Sequence, residues 1–432
     1  MNHESKAWPV VRVASGNMFE MYDFMIFGYY ATAIGRAFFP SGSDFASLMK
    51  SLMTFGAGYL MRPLGAIVLG AYIDQHGRRK GLLLTLTLMA FGTLSIAAMP
   101  TYETIGWLAP ALVLLGRLVQ GFSAGVELGG VSVYLAEIAT PGRKGFYSAF
   151  QSASQQIAVM LAAIVGITLA GYGWRAPMLV GCIIIPFLFL LRRSLNETPE
   201  FLARRHRPGA SEIFKTLVVH AHTVVLGMML SMMTTVCFYL ITAYTPTFAG
   251  TELHLQSSSV QWVILCVGAS NFLWLPIMGA ASDRWGRKPI LFAFTALTIL
   301  TAYPALAWLV SAPSVSRLLA VELWFSFMFG SYNGALIPYL MEIMPAKVRT
   351  SGFSVAFSLA AGIFGGFTPA LCTYLIKVTG NRAIPGLWLS VAAAFGCIAT
   401  ALSHIKGENE DEPNALPAGE SGGAVRFGAK SV

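Results

Sequence analysis

The chain has 432 residues, of which 55% are hydrophobic and 11% charged, with a formal net charge of +9. Soluble domains carry roughly a quarter of charged residues, so this composition excludes an ordinary soluble protein. The apolar runs are about twenty residues long, which predicts a bundle of membrane-spanning helices rather than a β-barrel.

The positive charges lie in short loops between apolar segments, which is typical of membrane topology and argues against nucleic-acid binding. The five cysteines all lie in apolar segments without metal-ligand spacing. We therefore predict neither a disulfide framework nor a metal site. No nucleophile with its base and no cofactor motif stands out, so we expect no enzyme, no catalytic residue and no cofactor.

Apolar stretches between polar loops predict twelve transmembrane helices, hereafter span one to span twelve. The fold class is thus an all-α membrane protein. Because twelve is even, both termini are expected on the same side. The predicted spans cover residues 14–38, 48–73, 81–99, 106–138, 145–170, 175–192, 218–246, 257–281, 289–309, 316–343, 350–377 and 384–404.

The distribution of basic residues predicts the orientation. Twenty-one Lys and Arg residues fall on the side of the termini and six on the other side. Basic residues are enriched in cytoplasmic loops, so we predict that both termini are cytoplasmic.

The longest polar connection, residues 193–217, is the expected cytoplasmic linker between two halves. We predict a six-helix half at 1–192 and a second six-helix half at 218–405. Residues 406–432 have too few bulky apolar side chains to fold and are predicted to be a disordered cytoplasmic tail.

Two internal repeats support this division. A basic loop occurs twice, 209 residues apart, and residues 134–146 are similar to residues 339–353. Two pseudo-symmetric halves with binding between them are the architecture of an alternating-access transporter. In the basic loop, Asp74, Gly77 and Arg78 correspond to Asp283, Gly286 and Arg287.

The doubled loop resembles the major facilitator superfamily. Residues 16–24 (Gly-Asn-Met-Phe-Glu-Met-Tyr-Asp-Phe), 62–66 (Arg-Pro-Leu-Gly-Ala) and 116–125 (Gly-Arg-Leu-Val-Gln-Gly-Phe-Ser-Ala-Gly) are similar to the metabolite:proton symporter family within it. Residues 127–142 and 151–156 resemble bacterial citrate and tricarballylate proton symporters. The likeness extends from about Val11 to Leu402.

The resemblance implies a secondary transporter in the bacterial plasma membrane. The resemblance also implies import of a tricarboxylate, most simply citrate, together with protons. We expect a monomer whose partners are the solute and the lipid bilayer.

Charged residues at membrane depth are costly, so each is a functional candidate. Asn17, Glu20 and Asp23 lie on neighbouring parts of one face of span one. At about 1.5 Å per residue, Asp23 lies roughly 18 Å from one end and Arg117 roughly 16 Å from the other, at similar depth. We predict that Arg117 and Asn17 bind substrate while Asp23 or Glu20 carries the proton. The alternative is a structural ion pair between Asp23 and Arg117.

Proton coupling needs no special chemistry. An anionic substrate beside a buried carboxylate favours the protonated carboxylate, and proton binding then favours substrate binding to the same degree. Glu127, ten residues beyond Arg117, is a further proton candidate or part of the inner gate.

Polar side chains on other spans complete the predicted substrate site. Gln120 follows Arg117 by one turn, and Gln155 with Gln156 forms a polar patch on span five that would be costly against lipid. No charged residue of the second half is expected near the midplane. Its candidates are neutral, and packing is the alternative for each: Tyr239, Asn271, Tyr332 and Asn333.

Charged residues at the predicted cytoplasmic ends form a candidate gate that closes in one state and parts in the other. The alternative is that they only set the topology. The gate residues are Asp74, Arg78, Arg79, Glu137, Arg143, Asp283, Arg287, Glu342 and Arg349.

Other functions remain open at this point. The cargo alternatives are tricarballylate, a dicarboxylate and a betaine, although a betaine site would need an aromatic cage. Sodium coupling is an alternative because Asn17, Glu20 and Asp23 all offer oxygen ligands. A non-transporting nutrient sensor of the same fold is the alternative from another class.

Overall fold

The computed structural model describes most of the chain. It covers residues 18, 20–193, 209–345 and 349–403, without the side chains of residues 74, 78, 79, 82, 127, 128, 130, 133, 137, 184, 185, 187, 188 and 190–193. Asn17, residues 194–208 of the predicted linker and the predicted tail lie outside the described residues.

Six helical spans precede the linker. Span one is helical at residues 20–29 and 31–38, with a turn at Tyr30. Spans two and four are each interrupted once. The bounds are Asp44–Leu60 and Arg62–His76 for span two, Arg78–Ala98 for span three, Leu108–Ala124 and Glu127–Glu137 for span four, Lys144–Thr168 for span five and Arg175–Arg193 for span six.

Six more spans follow the linker. A helix at Ala210–Val219, which overlaps the last residues of the predicted linker, leads into span seven. Spans seven and eleven each contain a π-helical turn. The bounds are Ala221–Tyr239, Leu240–Tyr244 (π) and Thr245–Thr251 for span seven, Ser257–Trp285 for span eight, Arg287–Ser311 for span nine, Val315–Ile343 for span ten, Arg349–Ala360, Ala361–Gly365 (π) and Thr368–Thr379 for span eleven, and Ile384–Leu402 for span twelve.

The predicted membrane-spanning bundle is confirmed. Large apolar side chains such as Ile183, Leu115 and Leu300 are exposed on its outer surface, where lipid takes the place of water. Among the described residues, seven helical segments are long and apolar enough to cross a membrane by themselves: Asp44–Ile73, Lys144–Thr168, Ala221–Thr251, Ser257–Trp285, Arg287–Ser311, Arg349–Thr379 and Ile384–Leu402.

Spans two and four approach so closely that their backbones touch. A Cβ atom on Gly121 would lie 1.6 Å from the carbonyl oxygen of Gly58, and one on Gly125 would lie 2.0 Å from that of Arg62. Only glycine leaves room for such contact, which is how membrane helices gain packing energy without a hydrophobic driving force. The contact fixes the two spans that carry the buried arginines Arg62 and Arg117.

The first six spans pack against the last six at both ends of the bundle. At the end that carries Lys144, hereafter the basic end, a Cβ on Gly279 would lie 2.5 Å from the carbonyl oxygen of Gly145. Near the opposite end, a Cβ on Gly166 would lie 3.2 Å from Gln261. The two halves are therefore in contact near both ends of the bundle.

Gly121→Ala should destabilise the bundle, because its added methyl group overlaps the Gly58 carbonyl. Overpacking of this kind costs about 1–3 kcal/mol. The thermal unfolding midpoint in detergent should fall relative to the unmodified protein.

Gly42→Ala is the matched control, since no atom lies within 4 Å of its added methyl group. Equal midpoints for both variants would contradict the close contact.

Candidate functional site

A small cavity lies between the two sets of six spans. Its volume for water-sized molecules is about 20 Å³, room for about one water molecule. A solute the size of a tricarboxylate does not fit, so the structure shows a closed state. The cavity is lined by Met21, Arg62, Ser152, Gln155, Thr234, Thr235, Phe238, Tyr239, Phe329, Asn333 and Phe357.

Arg62 is the charged residue of the cavity wall. It lies near the middle of span two, where the helix is interrupted at Met61, two residues before a proline that cannot donate a backbone hydrogen bond. Arg62 is only 3% exposed and forms an ion pair with Glu20 of span one. Its guanidinium also lies over the ring of Tyr59, 4.6 Å from the centroid.

A second buried ion pair joins spans one and four. Arg117 Nη1 lies 3.5 Å from Asp23 Oδ2, and Gln120 Nε2 donates to the same oxygen at 2.5 Å. Gln120 Nε2 also donates to Thr93 Oγ1 of span three at 2.9 Å. Asp23 is thus held by Arg117, the Gln120 amide and the Thr93 hydroxyl, and the predicted proximity of Asp23 and Arg117 is observed.

Phe24 lies between the two ion pairs. Its ring centroid is 5.2 Å from the Cζ of Arg62 and 5.3 Å from the Cζ of Arg117. The ring of Phe27 lies still closer to Arg117, at 3.8 Å. Among the described residues, Arg117 Nε and Nη2 have no hydrogen-bond partner. Aromatic faces therefore provide much of the surroundings of both arginines.

The predicted substrate residues separate into two groups. Gln155, Tyr239 and Asn333 line the cavity, and Thr234 Oγ1 donates to Asn333 Oδ1 at 2.9 Å. Arg117 and Gln120 do not line it, and both contact Asp23 instead. Substrate contact by these two side chains stays a prediction.

Three further candidates make protein contacts away from the cavity. Asn271 Nδ2 donates to Gln156 Oε1 at 3.0 Å, which ties span eight to span five. The hydroxyl of Tyr332 donates to the carbonyl of Leu230 at 2.8 Å. These contacts fit the alternative that Gln156, Asn271 and Tyr332 serve helix packing. The proton candidate Glu127 has its side chain outside the described part of the chain.

Two buried charges were not assigned from the sequence. Arg62 carried the same signal as Arg117, a charge inside an apolar span, but only Arg117 was given a role. Glu322 of span ten is 6% exposed and accepts a hydrogen bond from Thr245 Oγ1 at 2.8 Å. It lies seven residues, or roughly 10 Å, from Phe329 along the helix, away from the midplane where charges were sought.

The predicted gate is partly described. Asp283 of span eight accepts hydrogen bonds from the backbone N–H groups of Gly145 at 2.8 Å and Phe146 at 3.0 Å, at the first turn of span five. Arg287 contacts Asp283 at 2.8 Å and Glu342 at 3.3 Å. A carboxylate of one half thus caps a helix of the other, with favourable charge at the positive helix end.

Of the other six predicted gate residues, two have described side chains. Arg143 is exposed and Arg349 is half-buried at the starts of spans five and eleven. The side chains of Asp74, Arg78, Arg79 and Glu137 lie outside the described residues. A gating role stays a prediction for all nine.

Comparisons with known proteins agree with the fold. The Major Facilitator Superfamily model matches residues 13–369 and, again, 224–426. The citrate-proton symporter of Salmonella typhi is 56% identical over 406 residues, covering 92% of this chain and 94% of the relative. The alpha-ketoglutarate permease of Escherichia coli (strain K12) is 31% identical over 415 residues, covering 93% and 95%.

A solved structure gives the same architecture. The crystal structure of D-xylose-proton symporter superposes with a TM-score of 0.72 and covers 91% of this chain and 96% of that one. The identity is 17%, so this likeness concerns the fold alone.

Asp283→Ala should favour a state open at the basic end, because it removes both hydrogen bonds to span five. Loss of a helix cap costs about 1 kcal/mol, about a fivefold change in population. Spin labels on cysteines introduced at the exposed positions 143 and 284 report the separation, in a background without the native cysteines.

The expected result is a shift towards longer distances. Glu103→Ala, an exposed carboxylate near the opposite end, is the control. Identical distance distributions for Asp283→Ala and the parent would rule out a latch here.

Proposed function

The chain belongs to the major facilitator superfamily, and we propose that it is a citrate–proton symporter that works by alternating access. It is a multi-pass membrane transporter, not an enzyme. The assignment of the cargo rests on the cavity between the halves. The charged residue of its wall is an arginine, and amides and hydroxyls lie around it. Those groups suit the carboxylates and hydroxyl of citrate. The 56% identical relative is named a citrate-proton symporter.

The closed cavity suggests how transport proceeds. Residues 1–192 and 218–405 act as two bodies that tilt about the cavity, opening it first to one side and then to the other. The basic end is the cytoplasmic end, with both termini inside, in the bacterial plasma membrane. The protein acts as a monomer, since each chain contains a complete cavity.

Asp23 is the proposed proton carrier. When it is ionised, Arg117 and Gln120 hold it between spans one, three and four. Protonation removes the attraction to Arg117 and loosens these spans, so the proton affects the same helices that surround the solute. Glu20, with its own arginine, is the second carrier.

The aromatic side chains of the cavity wall favour the alternative that the solute is a betaine. Phe238, Tyr239, Phe329 and Phe357 all line the cavity, and aromatic faces attract quaternary ammonium groups. Arg62 lines the same cavity, however, and its positive charge repels such a cation. An anionic solute fits this combination better.

Proteoliposomes containing the protein should accumulate labelled citrate when the outside is more acidic than the inside. A sodium gradient at equal pH should produce no accumulation above that of empty liposomes. Accumulation driven only by sodium would contradict proton coupling, and its absence with either gradient would contradict citrate transport. Inhibition of labelled citrate uptake by unlabelled tricarballylate, isocitrate and succinate then ranks these solutes as substrates.

Asp23→Asn should remove the proton that Asp23 carries from the transport cycle, because the amide imitates a permanently protonated carboxyl group. Exchange of labelled for unlabelled citrate should persist, while accumulation driven by the pH gradient should fall at least about tenfold. Asp44→Asn, a substitution in an exposed ion pair with Arg36, is the matched control. Normal accumulation by Asp23→Asn would exclude Asp23 as the carrier.

A further inference from the structure

We propose that Arg62 is the residue that binds a carboxylate of the substrate, and that Glu20 is a resident counter-ion which the substrate replaces. The inference rests on the proposed function and names the binding residue of that same cavity. Its physical basis is that a cation at a solute site in the membrane interior needs an anion in both the empty and the loaded state.

Arg62 has the position that this role requires. It lines the cavity, whereas Glu20 is not among the lining residues, so the two groups form a pair with one member facing the solute space. A guanidinium presents five N–H donors in a planar fork that fits carboxylates. Arg62 can therefore turn from one carboxylate to another without losing a charge partner.

Arg117 is less suited to the same task. It is 0% exposed, is absent from the cavity wall and has the Phe27 ring 3.8 Å from its Cζ. Phe24 separates it from Arg62. A substrate would have to displace both aromatic side chains to reach Arg117, whereas Arg62 is already at the wall.

The opposite wall supplies partners for the rest of the solute. Asn333 of span ten and Thr234 of span seven are hydrogen-bonded to each other and line the cavity from the second half. Gln155 lines it from span five. A solute with several carboxylates can bridge Arg62 to these groups, and this bridge draws the two halves together. A monocarboxylate cannot make as many of these contacts.

The exchange also binds a proton. Once a substrate carboxylate occupies Arg62, the Glu20 carboxylate loses the guanidinium of Arg62, and its burial then favours the neutral form over the ionised one. A proton from the external solution, supplied by the gradient, forms an O–H bond on Glu20 and leaves it neutral. One proton therefore accompanies each carboxylate that replaces Glu20. Among the described residues, the ionisable groups near this pair include Tyr59 beside Arg62, Tyr239 beside Glu20 and, three residues along the same helix as Glu20, Asp23.

Calorimetric titration of citrate into the purified full-length protein tests both parts. Repeating it in buffers of different ionisation enthalpy gives the affinity and the number of protons taken up. Arg62→Lys keeps the charge but loses the fork and should weaken citrate binding about tenfold to a hundredfold. Glu20→Gln should still bind citrate but take up one proton fewer.

Arg36→Lys is the matched control, because Arg36 forms an exposed pair with Asp44, 3.1 Å apart, near one end of the bundle. Its affinity and proton uptake should equal those of the parent. A further variant, Arg62→Gln, removes the positive charge itself. If it fails to fold because Glu20 has lost this guanidinium, the double variant Glu20→Gln/Arg62→Gln removes both charges. It should fold, bind citrate at least about tenfold more weakly and lose the same proton.

Each outcome decides one point. Parental citrate affinity in Arg62→Lys or in the double variant overturns Arg62 as the binding residue, while the proposed function stands. Unchanged proton uptake in Glu20→Gln overturns the exchange. If the unmodified protein binds neither citrate, tricarballylate nor succinate, the proposed function fails and the inference falls with it.

Discussion

A charge inside a membrane must find its counter-charge within the protein, and this requirement organises the centre of the molecule. Glu20 and Asp23 are one helical turn apart on span one, and each is paired with an arginine from a different neighbouring span. The two pairs attach spans two and four to span one. Phe24, whose ring adjoins both guanidiniums, keeps the pairs apart, so they remain two separate units rather than one network of four charges.

Helix packing determines where these charges can sit. Gly58 and Gly121 bring spans two and four into backbone contact, so the arginines of both spans approach span one from adjacent positions. The two halves meet differently, through the Gln156–Asn271 hydrogen bond and the cap that Asp283 places on span five. Charges buried in the interior thus hold spans one, two and four together, whereas these two contacts between the halves use neutral amides and one capped helix end.

Much of this arrangement could be predicted from the sequence. The lengths of the apolar runs and the charges of the loops are sufficient to predict twelve spans. Counting residues along the helices correctly predicted similar depths for Asp23 and Arg117. Depth does not specify the direction in which a side chain points around the helix. Arg117 therefore appeared to be the substrate arginine, although Arg62 is the one at the cavity wall. Gln155 and Gln156 are adjacent in sequence, yet one faces the cavity and the other faces span eight.

The interruptions within the spans could not be predicted from sequence periodicity, because a π turn has no distinct residue pattern. Both π turns adjoin the cavity wall: Leu240–Tyr244 begins directly after Tyr239, and Ala361–Gly365 follows Phe357 by four residues. Such a turn holds one residue more than an α turn. If it moves along the helix by one position, hydrogen bonds are exchanged rather than lost, and the residue it passes rotates by about 100°. Local rotation at these turns can therefore change the direction of the aromatic side chains on spans seven and eleven as the cavity changes size, and neither helix has to unwind.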